Sequence, residues 1–131
     1  MTNETRYTLK ILETMPGEQK KSSVVQLNET ILQEMTNRLV QTFQPEQVIL
    51  FGSHAWGTPD DSSDIDLYVI VPESSERPLQ RARRARSCLG NVRFALDILV
   101  RTRAEADKYR HLYASLECQI FEKGRVLYER N

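Results

Sequence analysis

The sequence predicts an α+β fold, a small mixed β-sheet flanked by helices. Three observations predict it. Apolar residues recur at helical spacing in some segments and fall in short continuous runs of strand length in others. The segments follow one another as helix, strand, strand, helix, strand, helix, an order typical of helices packed on a small sheet. Breakers separate them cleanly, at Pro45, Gly57, Pro59, Pro72, Gly90 and Gly124.

Residues 1–27 are polar, with apolar positions at Tyr7, Leu9, Ile11 and Leu12 and a break at Pro16-Gly17. They are set apart as an N-terminal extension, and 28–131 as the domain. Asn28 is the expected N-cap of a helix to about Phe43, whose residues Ile31, Leu32, Met35, Leu39, Val40 and Phe43 share one face. A strand is expected over 47–51, then a loop through Gly57 and Pro59, then a strand over about 64–71 that Pro72 ends. A helix over about 76–89 carries the stripe Leu79, Ala82, Ala85, Cys88 and Leu89. Its other face holds Arg77, Arg81, Arg83, Arg84 and Arg86. Gly90-Asn91 stops it. A third strand is expected over about 93–101, a charged helix from Thr102 to about Leu112, and a last helix over 114–123. Residues 125–128 read as an edge strand or a packing tail.

With 131 residues, the chain supports one domain with a modest core. Eighteen basic and eighteen acidic side chains cancel, so no global field advertises nucleic acid, and direct nucleic-acid binding is not favoured. No apolar run reaches the length of a membrane span, and residues 1–6 lack a signal-peptide core. Two cysteines, Cys88 and Cys118, make no disulfide framework and fit a reducing cytoplasm, the expected location. Both lie on apolar helical stripes and read as core residues.

The chemistry concentrates between the first two strands. Gly52 ends the first and lets backbone approach a ligand closely. Ser53 sets a hydroxyl beside main-chain N–H groups, a cradle suited to phosphate. Asp64 and Asp66 lie two apart, so on a strand they point to one face with Cα atoms about 6.6 Å apart, within reach of shared hard cations. Asp97 stands inside the strand-like run 94–100, where an aspartate is costly without compensation. Beside Asp64 and Asp66 it would complete an all-oxygen site for Mg²⁺, with positions left for a triphosphate and water. Metal-dependent chemistry on a nucleoside triphosphate is the reading.

Gly52, Ser53, Asp64, Asp66 and Asp97, with Gly57 and Ser63 in the spacer, resemble the polymerase-β-like nucleotidyltransferase superfamily, most closely its minimal single-domain branch. The resemblance covers roughly residues 28–130. It implies that Asp64 and Asp66 bind two Mg²⁺ ions (or Mn²⁺), that Asp97 binds the catalytic one and accepts the proton of the attacking hydroxyl, and that ATP is the substrate. His54 stands where many members carry another polar residue and is an additional candidate for phosphate contact. The minimal branch is often paired with a helical HEPN protein. By that analogy the chain is expected to act as an antitoxin that adenylylates a tyrosine or other hydroxyl of a HEPN toxin. Alternatives are a small-molecule nucleotidyltransferase and a non-catalytic module that neutralises a partner by binding.

Each remaining feature has a plainer counterpart. Asp60 and Asp61 sit in a proline-containing loop and read as solvated turn residues. His111, on a charged helix, reads as surface. Trp56 either stacks on a base or anchors its loop on the core. An arginine-rich helix face is usually solvated. Its density in a chain of no net charge makes Arg81, Arg83, Arg84 and Arg86 a candidate docking surface for an acidic partner or RNA.

Overall fold

The structure, a computed structural model, describes residues 27–59, 63–92 and 94–130. Except for Leu27, the N-terminal extension lies outside them, as do Asp60 and Asp61. The elements are α1 (Glu29–Phe43), β1 (Gln47–Phe51), α2 (Ser53–Trp56), β2 (Ile65–Val71), α3 (Pro78–Leu89), β3 (Leu96–Thr102), α4 (Arg103–Arg110), α5 (Leu116–Lys123) and β4 (Arg125–Glu129). The strands form one mixed sheet in the order β3-β2-β1-β4. β1 is antiparallel to β2 and to β4, and β2 runs parallel to β3. Both the α+β class and the small mixed sheet are as expected.

The sheet is apolar on both faces because helices cover both. On one face Val48, Leu50, Leu67, Val69, Ile98 and Val100 meet Ile31, Leu32, Met35 and Leu39 of α1 and Ala85 and Leu89 of α3. On the other, Ile49, Phe51, Tyr68 and Ile70 meet Ala106 of α4 and Ile120 of α5. Such two-sided burial explains why the strands read as continuous apolar runs rather than alternating ones.

The helix starts follow local chemistry. The Asn28 side chain accepts from the Ile31 N–H at 2.9 Å, capping α1 as expected. Thr102 and Glu105 satisfy each other's backbone N–H groups at the start of α4 (Thr102 N–H to Glu105 Oε1 2.9 Å, Glu105 N–H to Thr102 Oγ1 3.1 Å). Pro78 opens α3, where its missing N–H costs nothing. For that reason α3 begins two residues later than expected. Asp64 lies just before β2 rather than within it.

One expectation about α3 is overturned. Leu79, placed on the buried stripe, is 62% exposed, whereas Arg81, placed on the solvent face, is only 4% exposed. The helix packs through the row Arg81, Ala85 and Leu89. Arg81 can be buried because each of its three nitrogens donates: Nε to Glu76 O at 3.0 Å, Nη1 to Val100 O at 2.9 Å and Glu105 Oε1 at 2.8 Å, Nη2 to Glu105 Oε2 at 3.1 Å. Arg81 is therefore no part of a docking surface. Arg84 is exposed but engaged, pairing with Glu76 at 2.9 Å and lying over the Phe43 ring at 4.3 Å.

Candidate active site

β1 ends at Phe51, and the chain turns at once through Gly52 (φ 77°, ψ −157°) into the one-turn helix α2. This helix was expected to be loop, and four residues are too few for a periodic signal. The Gly52 carbonyl accepts from the Ala55 and Trp56 N–H groups at 2.9 and 3.0 Å. The two amides ahead of these, of Ser53 and His54, are those that a helix start leaves without intrahelical acceptors. Ser53 begins that turn.

Gly52 is glycine for two reasons. Its backbone lies in a region essentially closed to other residues. A Cβ there would also stand 2.0 Å from Asp66 Oδ2. The Asp66 carboxylate thus rests on the space that glycine leaves empty. Gly57 closes the turn under a similar constraint, since a Cβ there would meet Ser53 Cα at 2.9 Å. Trp56 sits beside Phe51, with ring centroids 6.4 Å apart, which ties α2 to the core.

Asp66 pairs with Phe51 across the antiparallel ladder and with Asp97 across the parallel one. Register partners in a sheet project to the same face. Asp66 and Asp97 therefore stand together on the face covered by α4 and α5, at the end of it where β2 and β3 begin. Asp64, two residues earlier, adds its charge from the turn. Burial pushes the Asp66 carboxyl above the usual carboxylate range, and the negative charges of Asp97 and then Asp64 push it further; His54 opposes them. His54 lies with Nε2 3.4 Å from Ser63 O, so it bridges the two ends of the turn.

The arrangement brings Gly52, Ser53, His54, Asp64, Asp66 and Asp97 to one end of the sheet. Among the described residues, no three acidic, histidine or cysteine side chains are gathered closely enough to hold an ion as they stand. The donor set nevertheless suits a hard divalent cation: three carboxylates lie at one end of the sheet, and Asp66 carries like-charge strain that a cation would relieve.

Two features went unread in the sequence. Behind the acids, Glu117 is buried and accepts from Arg101 Nε at 3.2 Å and the Tyr68 hydroxyl at 3.4 Å. Its place on α5 gave no signal, because the partners lie on β2 and β3. The second is the capping of the outer β3 edge by arginines of α3, hidden because polar helix positions read as solvated. Elsewhere His111 is exposed and both cysteines are half-buried. No helix among the described residues is long and apolar enough to cross a membrane.

A family model described as "Polymerase beta, Nucleotidyltransferase" matches residues 33–131. No curated protein matches the chain. Among solved structures, the fold is similar to that of a candidate nucleotidyltransferase from Sulfolobus solfataricus, with 22% identity and a TM-score of 0.54, over 76% of this chain and 78% of that one. At that identity the likeness speaks for the fold. The family match takes in both acid-bearing strands, the Gly52 turn and every later element, and on it the chain belongs to the polymerase β nucleotidyltransferase family.

Proposed function

We propose that the chain is a metal-dependent nucleotidyltransferase that moves AMP from ATP to a hydroxyl acceptor. The observation that carries this reading is the position of Asp66. It pairs with Asp97, feels the charge of Asp64, and rests against a glycine that admits no side chain. A fold has little reason to keep three mutually repelling acids at one strand end unless a cation joins them.

Asp64, Asp66 and Asp97 would hold Mg²⁺ or Mn²⁺. Bound there, the metal supplies charge neutralisation for the triphosphate and acidifies the acceptor hydroxyl. Ser53 and the first amides of α2 are suited to the terminal phosphates, with His54 beside them. The acceptor oxygen forms a bond to the α-phosphorus, the bond to the departing pyrophosphate breaks, and the hydroxyl proton passes to Asp97.

The proposed acceptor is a tyrosine or other hydroxyl on a helical HEPN-type partner, which would make this chain the antitoxin of a pair. This rests on the likeness to the minimal branch of the family. Intact-mass measurement of such a partner, incubated with the chain, ATP and Mg²⁺, tests it. A gain of one AMP that vanishes with the Asp64→Asn/Asp66→Asn variant is the expected result. A stable complex with no mass gain would overturn the enzymatic reading in favour of neutralisation by binding.

A further inference from the structure

The strand that carries Asp97 lies at the edge of the sheet. An edge strand has a ladder on one side only, and its outer carbonyls are open. Here α3 runs along that open side and supplies the missing partners. Arg86 Nη2 donates to Leu96 O at 2.6 Å, and Arg81 Nη1 donates to Val100 O at 2.9 Å. The ladder to β2 fixes the inner side, where the Ile65 N–H also takes Ala95 O at 2.8 Å. Leu96 immediately precedes Asp97. The peptide unit that aims the Asp97 side chain is thus gripped by a guanidinium on one side and by β2 on the other.

The two arginines differ in what else they do. Arg81 is buried and also bidentate to Glu105, so it joins α3, β3 and the start of α4. Arg86 is exposed, and its one hydrogen bond among the described residues is to Leu96 O. Its removal therefore spares the core. Arg83, on the same helix, is exposed and makes no hydrogen bond or ion pair among the described residues, which makes it a natural control.

We infer that Arg86 is a positioning residue for Asp97: it clamps the first carbonyl of β3 and holds the third carboxylate in register with Asp66. The arginine-rich face is then in part a device of the site itself, spent on the edge of the sheet. The inference rests on the proposed metal role of Asp97, and the test separates the two.

Arg86→Gln and Arg83→Gln are compared with wild type by amide exchange over the peptide 94–98 and by Mn²⁺ titration, followed by electron paramagnetic resonance, with a non-hydrolysable ATP analogue present. Loss of a charge-assisted hydrogen bond predicts exchange in that peptide about tenfold faster in Arg86→Gln, and Mn²⁺ affinity weaker by about five- to tenfold. Arg83→Gln changes neither, and Arg86→Lys, which keeps a donor, recovers part of both. Unchanged exchange in Arg86→Gln overturns the clamp. Faster exchange with wild-type Mn²⁺ affinity leaves Arg86 a structural residue only and overturns its positioning role. Absence of Mn²⁺ uptake by the wild type, whatever the exchange shows, refutes the metal site and the positioning role with it.

Discussion

Gly52→Ala is the sharpest perturbation of the site. The added methyl costs energy in two separable ways. The backbone at φ 77°, ψ −157° is open to glycine alone, and holding alanine there costs about 1–3 kcal/mol. The methyl would also stand 2.0 Å from Asp66 Oδ2 and 3.0 Å from its Cγ, so the carboxylate must swing away or β2 must shift, adding about 1 kcal/mol. The sum, about 2–4 kcal/mol, corresponds to a fall in Tm of roughly 8–16 °C for a domain of this size. Thermal unfolding of Gly52→Ala, Asp66→Ala and the double variant forms a cycle that isolates the second part. Removing the Asp66 side chain abolishes the collision and leaves the backbone strain, so the cycle should show coupling of about 1 kcal/mol. Nucleotide-dependent Mn²⁺ binding should fall in Gly52→Ala even at temperatures where it is fully folded. A variant that loses less than about 0.5 kcal/mol and shows no coupling to Asp66 would refute the close-approach argument.

Asp66→Asn should raise stability in metal-free buffer, since it removes a partly buried charge facing two like charges, and should abolish Mn²⁺ binding; a lower Tm in metal-free buffer would contradict the repulsion. Asp97→Asn should leave the fold intact and lower turnover by about 10²-fold or more, and wild-type turnover would remove Asp97 from the reaction. Glu105 gives a pH prediction. Its hydrogen bonds from Arg81, helped by the Thr102 N–H, hold its carboxyl down at about 2 against the opposing effect of burial. A depressed folded value means that the stabilisation is fully present above the unfolded value of about 4.3 and is lost as pH falls from there towards the folded value. Glu105→Gln should therefore cost about 1–2 kcal/mol at pH 7, discounted for its partial exposure, and flatten the acid limb of the denaturation curve below pH ~4. An unchanged acid limb would sink it.

Much of this was legible in the sequence, for physical reasons that particular residues show. β1 was bounded correctly at Gln47 and Phe51, because Pro45 and Gly52 flank a run buried on both faces. The α1 cap was readable because Asn28 acts on an amide three residues away. The acids were readable as a set because Asp64 and Asp66 lie two apart at the start of β2, although only Asp66 is within the strand, and because a lone Asp97 in an apolar run demanded a partner. What was hidden depends on distant segments. Leu79 and Arg81 exchanged roles because Arg81 finds its acceptors in β3 and α4, and no pattern local to α3 encodes that. Glu117 looked like any helix-surface acid until β2 and β3 brought Tyr68 and Arg101 to it. The N-terminal extension lies outside the described residues, so its expectation stands as stated.

β1 occupies the middle of the sheet and takes β2 on one side and β4 on the other. Its two partners reach it at very different times. β2 begins at Ile65, soon after β1 ends at Phe51, whereas β4 arrives only after α3, β3, α4 and α5 have been made. In the interval, a nascent chain holds Val48, Ile49, Leu50 and Phe51 along an uncovered edge, with every side chain apolar. Closing that edge needs a long-range contact, which is slow to form. It also passes through Gly124, where a side chain would collide with Ile120 O at 2.5 Å and Ile49 at 2.6 Å. The vulnerable moment in the life of this protein is therefore before β4 docks. Chains shortened just before Arg125 should associate through β1, and replacing Gly124 should raise insolubility during synthesis more than it lowers the stability of whatever fraction folds.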